Sequence, residues 1–455
     1  MLERHKYFNS DIEPFLNTPQ MREVQWEKLK RAIRYAYENV PFDRQRMEEA
    51  GVRPEQIRSL DEYARALPPV PQADFRNVFE QFDLDMEKSL LHLFGRDRMD
   101  DLHFLSTTSG TTGMPTPYPF FHRTQELACE LFGRVGWRAG FHEGTRLALC
   151  FGLSMHVAGI PQVFWFQRLR GVTVLPIGAE AGTERILNLL KLFQANAITC
   201  TPSLASYLVE KAPEILGHPV GDLGIRTLLL GAEPGAGIPE FRGRLEAAYG
   251  ATVLDVGAGY GVSCEHPEYQ GMHWVADDHC LYELVHPDTF EPVPLEHGAR
   301  GLACFTPLAP ESGLFFHHLR VTMNDIHQVF TEPCPCGRSG FRYKIVGRGD
   351  DMLKVKGVPV YPAAIQGVVN SFVPRVTGAF RIVLTEKPPL VVPPLKLTIE
   401  RGEETPVSDL PALEKEILEK MHAAVKIRPA ITWLEPNSLE RATKKTQLLE
   451  KRYDH

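Results

Sequence analysis

The chain has 455 residues, of which 43% are hydrophobic and 24% charged, with a formal net charge of −7 and eight cysteines. That length exceeds what one simple core holds, so two or three domains are expected. The acidic balance argues against a nucleic-acid or anionic-membrane partner, and eight dispersed cysteines do not make a disulfide framework.

Residues 1 to about 100 are helical and polar in pattern. The N-terminus has no apolar run of the secretory type, and the most apolar stretch, Leu147 to Phe166, is broken by His156, Pro161 and Gln162. A buried strand and helix suit that stretch better than a membrane span, so a cytoplasmic protein without a membrane partner is expected. Val24, Leu29, Ile33 and Tyr37 recur at helical spacing over Met21 to Asn39, and Pro41 is expected to stop that helix. Another short helix begins at Glu55, and Leu67-Pro-Pro-Val-Pro reads as a rigid extended linker.

The stretch Thr107-Thr108-Ser109-Gly110-Thr111-Thr112-Gly113-Met114-Pro115-Thr116 stands out, because eight of its ten residues are hydroxylated or Gly. It cannot bury enough apolar surface to be a core element, so it must be a loop. Its glycines let successive N–H groups form a cradle for an anion, and the hydroxyls add neutral donors. The phosphate loop of ordinary NTPases carries Lys directly after its last Gly, where Met114 stands here, so that class does not fit.

Beyond the loop, short apolar runs alternate with helical patterns. Arg146 to Phe151, Val172 to Leu175, Ala197 to Thr201, Arg226 to Leu230 and Thr252 to Val256 read as buried strands. Glu184 to Phe193, Leu204 to Lys211 and Ile238 to Tyr249 read as helices between them. This alternation implies a parallel α/β sheet whose ligands sit at the carboxyl ends of the strands. Three loops leave those ends in series: Thr201-Pro202-Ser203, Gly231-Ala232-Glu233-Pro234 and Gly257-Ala258-Gly259-Tyr260-Gly261. The last has Val262 where a dinucleotide fingerprint needs Gly, which disfavours a Rossmann dehydrogenase. Shorter strands dominate from Leu302 to Val346, and Gly347-Arg348-Gly349-Asp350-Asp351 is a polar turn suited to a hinge. A helix start at Val360, strands at Ala379 to Leu384 and Leu395 to Ile399, and an amphipathic helix from Leu410 to Val425 make a small α+β domain. The basic tail from Ser438 reads by itself as frayed.

These pieces in this order resemble the adenylate-forming superfamily of acyl-CoA synthetases, luciferases and peptide-synthetase adenylation domains, in its phenylacetate–CoA ligase branch. The resemblance rests on Tyr37-Glu-Asn-Val-Pro-Phe, Thr108-Ser-Gly-Thr-Thr-Gly, Gly231-Ala-Glu-Pro, Cys334-Pro-Cys-Gly-Arg, Gly347-Arg-Gly-Asp-Asp and a C-terminal Lys. It implies an α/β large domain over residues 1–347, with parallel-rich sheets and helices, and a small mobile α+β domain over 348–455. It implies that Thr108, Ser109, Gly110, Thr111, Thr112 and Gly113 grip the phosphates of ATP. Gly231, Ala232, Glu233 and Pro234 would line the adenine, and Asp325 would hold the ribose hydroxyls. Asp255 and Tyr260 fall in the segment that meets the base, while Arg348 would be a basic contact and Asp350 the hinge. Lys444 matches the mobile lysine that neutralises charge in the first half-reaction, with Lys445 its near neighbour. The implied reaction joins a carboxylic acid of aryl or arylacetic type to AMP, with Mg²⁺ on the phosphates, and passes the acyl group to CoA. The alternatives are a degenerate relative that binds a nucleotide or acyl ligand only, or an enzyme handing its acyl group to a carrier protein or an amine. A homodimer is compatible with the branch.

One departure concerns the metal. The branch places a Mg²⁺-holding Glu after a Tyr-Gly-x-Ser motif. Here Tyr260-Gly-Val-Ser-Cys-Glu265 either carries it with one insertion or has lost it. A second metal is suggested by Cys264 and His266 together with Cys334 and Cys336, with His273 as alternative, since four N/S ligands suit a structural Zn²⁺. Cys129, Cys150, Cys200 and Cys304 lie in apolar runs and are expected in the core. His156 could border the acid pocket or sit in the core. Phe151, Phe164, Trp165 and Tyr260 are candidates for its apolar wall.

Overall fold

The computed structural model describes residues 6–107, 117–257, 260–309, 316–349, 351–355, 358–386, 388–439 and 448–453. The five expected strands form at Arg146–Leu149, Thr173–Pro176, Ala197–Cys200, Thr227–Gly231 and Thr252–Gly257, and all of them pair in parallel. Helices Thr183–Leu192, Pro202–Leu216 and Pro239–Tyr249 cross between them. Ile186, Leu190, Leu204, Leu208 and Leu245 fill the space against Ile198, Leu228 and Val253 on the strands. Both faces of the four inner strands are covered, which is why they read as unbroken apolar runs, whereas Thr173–Pro176, expected to be buried, is the sheet's edge strand with exposed Thr173 and Pro176. One connection is closed by a local device. Thr201 caps its helix by accepting the Leu204 N–H at 3.2 Å, and Pro202 stands at the first helical position, where no N–H is missed.

The sheet continues past the parallel half. From Gly261–Ser263 onward the chain turns antiparallel, through Met272–Trp274, Cys280–Val285, Arg300–Pro307, Val321–Phe330 and Arg342–Arg348. The Val321–Phe330 strand is ten residues long, so this region is not uniformly one of shorter strands. Val70–Pro71, read as linker, adds a parallel pairing to that strand.

Pro41 both ends the first helix and opens a second, because its fixed φ suits a first turn: Pro19–Asn39 is followed directly by Pro41–Glu49. The buried stripe of the first helix runs through Met21, Gln25, Leu29, Ile33 and Ala36, which leaves Val24 exposed. Glu13 and Arg138 form an ion pair at 2.7 Å with both side chains buried, tying the N-terminal segment to the helix Thr124–Arg138.

Past Arg348 a separate unit begins. Strands Val376–Leu384, Lys396–Arg401, Ala430–Leu434 and Leu449–Lys451 form their own sheet, and helices Pro362–Asn370 and Leu410–Val425 pack on it. Ile365, Val369, Ile382, Leu397, Ile399, Ile417 and Met421 make a core apart from the large domain's. The tail is anchored on both sides of residues 440–447. Leu439 donates its N–H to Glu400, and Leu448 accepts the Ile382 N–H at 2.8 Å before the Leu449–Lys451 strand.

The Tyr361 ring lies against Gly347 where the units meet, so close that a Cβ on Gly347 would stand 2.2 Å from a ring carbon. Gly347→Val is therefore expected to lower stability by about 1–3 kcal/mol through overpacking. Adding Tyr361→Ala should recover part of that loss, and chemical denaturation of both variants checks it.

Candidate active site and metal centre

The carboxyl ends of the parallel strands form a continuous rim. Glu233 accepts the Ser203 N–H at 2.7 Å, joining the loops after Ala197–Cys200 and Thr227–Gly231. A Cβ on Gly235 would stand 2.4 Å from Pro202, and one on Gly237 would stand 2.9 Å from an Asp255 carboxylate oxygen. Three loops from adjacent strands thus pack edge to edge, and two glycines permit the contact. Ala232 holds a φ of +69°, a left-handed conformation that costs a non-Gly residue on the order of 1–2 kcal/mol.

Asp255, at the end of its strand, accepts the Tyr269 hydroxyl at 2.7 Å, and its own N–H donates to Ser263 at 2.9 Å. Burial pushes its carboxyl up to about 6, against the Tyr269 hydroxyl and then Arg242, which both favour the anion. A carboxyl whose folded pKa lies above its unfolded value is penalised when ionised. The penalty is absent at acid pH, grows as pH rises from about 4 to 6, and persists above. Asp255→Asn keeps an acceptor for Tyr269 and removes the charge. It is expected to raise the thermal midpoint at pH 7.5 but not at pH 4, with the gain bounded by roughly 2–3 kcal/mol. Melting curves at the two pH values check this.

On the antiparallel side, Asp325 and Arg348 are register partners on neighbouring strands, and Arg348 reaches Asp325 at 3.4 Å and Asp351 at 3.7 Å. Asn324 holds a φ of +65° and its carbonyl accepts the Gly349 N–H at 2.7 Å, which bends the strand beside Asp325. Thr107 and Pro117, the residues flanking the Gly-rich loop, are paired on adjacent antiparallel strands, Leu102–Thr107 and Pro117–Phe121. The Thr107 carbonyl also accepts the Val157 N–H at 3.1 Å, so the segment carrying His156 is fastened beside the loop's entry. The loop residues Thr108 to Gly113, and also Asp350, Lys444 and Lys445, lie outside the described residues. Tyr260 is buried, edge-on to Trp274 at 5.6 Å and Phe316 at 5.7 Å. Trp165 stacks on Phe132 at 4.2 Å in the core and Phe151 is also buried, whereas Phe164 and Met155 are exposed.

Glu265 lies at the other end of the sheet. Its carboxylate meets Arg338 at 2.5 Å, and it shares a cavity with Thr252 and Arg226, at the amino ends of the strands. The insertion reading of Tyr260 to Glu265 fails for this reason: a strand, Gly261–Ser263, carries the chain away from the rim before Glu265 is reached. Glu265 does not fit a magnesium ligand for a nucleotide at the rim.

The soft ligands converge elsewhere. Cys264, His273, Cys334 and Cys336 bring their ligand atoms within 4.8 Å of one another, with the Cys264 and Cys334 sulfurs 3.8 Å apart and Cys336 Sγ 3.4 Å from His273 Nε2. A tetrahedral site with metal–sulfur bonds of about 2.3 Å has a sulfur–sulfur edge of roughly 3.8 Å. Burial lowers the His273 pKa, keeping the imidazole in the neutral form that ligates. The Cys336 thiol is held well below its ordinary range by the hydrogen bond with Cys264. His266 is not in the group. Its ring nitrogen is turned to the backbone of Glu268, and the Met272–Trp274 strand delivers His273 instead. The one-residue spacing of Cys264 and His266 resembles a ligand pair, but those residues enter a turn. The usable signal is a lone His within the buried strand Met272–Trp274, which pairs with the strand ending just before Cys264. The other five cysteines, including Cys280, are buried.

The family model described as AMP-binding enzyme matches residues 45–303, and that described as AMP-binding enzyme C-terminal domain matches residues 357–452. The chain belongs to the AMP-binding enzyme family. Within it, the chain sits among the AMP-forming CoA ligases: it is 31% identical over 445 residues to a phenylacetate-coenzyme A ligase of Thermus thermophilus, covering 93% of this chain and 94% of the relative. A solved 2-hydroxyisobutyryl-CoA ligase in its postadenylation state, with 2-HIB-AMP bound, superposes with a TM-score of 0.84 at 24% identity, over 96% of this chain and 91% of the neighbour. The same ligase in its thioesterification state, with CoA also bound, superposes at 0.65 over 97% of this chain and 91% of the neighbour, again at 24% identity. Among the described residues of this family member, no helix is long and apolar enough to cross a membrane.

Proposed function

We propose that the chain activates an aryl or arylacetic carboxylic acid with ATP and transfers the acyl group to CoA. The carboxylate oxygen attacks the α-phosphorus and pyrophosphate leaves. The thiol sulfur then attacks the acyl carbon, AMP leaves and the thiol proton passes to solvent or base. The observation that carries this reading is the three-loop rim at the carboxyl ends of adjacent strands, in a chain so extensively similar to a phenylacetate-coenzyme A ligase. In it, Gly231 to Pro234 line the adenine, Asp325 accepts from the ribose hydroxyls, and Thr108 to Gly113 hold the phosphates. Lys444 supplies the positive charge that the meeting of two anions requires. The small domain turns about Asp350, with the boundary expected at 347/348 moved just past Arg348, which ends a strand of the large sheet. The looser match to the thioesterification state, 0.65 against 0.84, is in keeping with two placements of that domain in this fold. Mg²⁺ enters as the counter-ion of ATP, and no step is assigned to Glu265.

Zn²⁺ belongs to this reading as a structural ion on Cys264, His273, Cys334 and Cys336, tying the strand after the parallel sheet to the turn before Arg342–Arg348. The position of Glu265 favours, as a second reading, a relative that binds nucleotide without completing the thioester. Incubation with an acid panel, ATP and either CoA or a phosphopantetheinylated carrier separates these. AMP and an acyl-CoA formed together support the ligase, acyl-carrier without acyl-CoA moves the acceptor, and no AMP with any acid favours the binder.

A further inference from the structure

We infer that the cavity at the amino ends of the parallel strands binds a phosphate-bearing anion of nucleotide size, apart from the catalytic rim. The cavity encloses about 640 Å³, within the range of roughly 300–1,000 Å³ usual for small-molecule sites. It opens where Arg146, Ala197, Thr227 and Thr252 begin or lead into their strands. Four to six residues of strand, on the order of 15 Å, separate that edge from the rim.

The lining is strongly biased in charge. Lys6, Arg138, Arg146, Arg226 and Arg338 face it against two carboxylates, Glu143 and Glu265, in a chain whose net charge is −7. Glu265 is already engaged by Arg338. Arg226 has no side-chain hydrogen bond or ion pair among the described residues, and Arg146 uses Nε on the Gln194 carbonyl at 2.6 Å. Arg138 is the second observation. Its guanidinium is 1% exposed and paired on one side with Glu13, yet its Nη1 is buried with no hydrogen-bond partner among the described residues. A buried charged donor left unpaired is unfavourable, and an anion held in the cavity that Arg138 lines would offset its charge. Trp137, also on the wall, is fixed there edge-on to His142 at 4.3 Å and tilted against Phe8 at 6.2 Å. The turn bearing Cys334 and Cys336 closes one side, with the Lys6 ammonium donating to the Gly337 carbonyl.

Calorimetric titration of the full chain with ADP at low salt tests this. Arg146→Ala/Arg226→Ala, whose residues lie outside the catalytic rim, should bind one ADP fewer per chain than the wild type, or bind one at least tenfold more weakly. Its thermal midpoint and ATP–pyrophosphate exchange should be unchanged. Inorganic pyrophosphate should displace the ADP that the variant loses. Equal stoichiometry and affinity in the two proteins would overturn the inference, as would displacement by adenosine but not by pyrophosphate. Failure of the ligase reading would appear separately, as absent exchange in the wild type.

Discussion

Asp325→Ala is expected to raise the KM for ATP about 10- to 100-fold, because a charged acceptor of two ribose hydroxyls contributes on the order of 1.5–3 kcal/mol. The fold should survive the change. Arg348 retains Asp351 at 3.7 Å and is itself partly exposed, so no buried charge is stranded. Asp325→Asn, which keeps one acceptor, should fall between the two. Initial rates against ATP at saturating acid separate this from a general loss: the KM should move far more than the melting midpoint. An unchanged KM in Asp325→Ala would remove Asp325 from the nucleotide site.

Cys334→Ser is expected to abolish metal binding and destabilise the large domain. Wild-type protein should carry one zinc per chain by elemental analysis, and the variant much less than one. A site filled a thousandfold above its dissociation constant adds about 4 kcal/mol to folding, so the unfolding midpoint should drop clearly in the variant and after chelation. His266→Ala, at the position the structure places outside the group, should retain the ion, whereas His273→Ala should not. Wild-type protein purified without metal and indifferent to chelator would contradict the centre.

Much of the architecture was legible because it repeats local rules. The inner parallel strands announce themselves as apolar runs, since helices cover both faces, and Leu410–Val425 falls where expected because Leu410, Leu413, Ile417, Met421 and Val425 recur at three- and four-residue steps. What local pattern cannot carry is which distant residues meet. Glu13 with Arg138, and His273 with Cys336, are joined across more than sixty positions by sheet register and helix packing. Glu265 stayed open between two readings for the same reason: three residues of antiparallel strand, Gly261–Ser263, reverse the chain's direction, which a motif read in one dimension does not show. Pro41 could be read as a stop but not as a start, because both uses of proline suit the same sequence.

The central claim is that an anion cradle in the large domain is served by a lysine carried on the small one. ATP–pyrophosphate exchange over a panel of aryl and arylacetic acids, with wild type, Lys444→Ala and Lys445→Ala in parallel, tests it most directly. Exchange in the wild type with at least one acid, lowered about 100- to 1,000-fold in Lys444→Ala alone, is the predicted outcome, on the scale of losing one preorganised charge contact to the transition state. No exchange with any acid, or full exchange in both lysine variants, would contradict it.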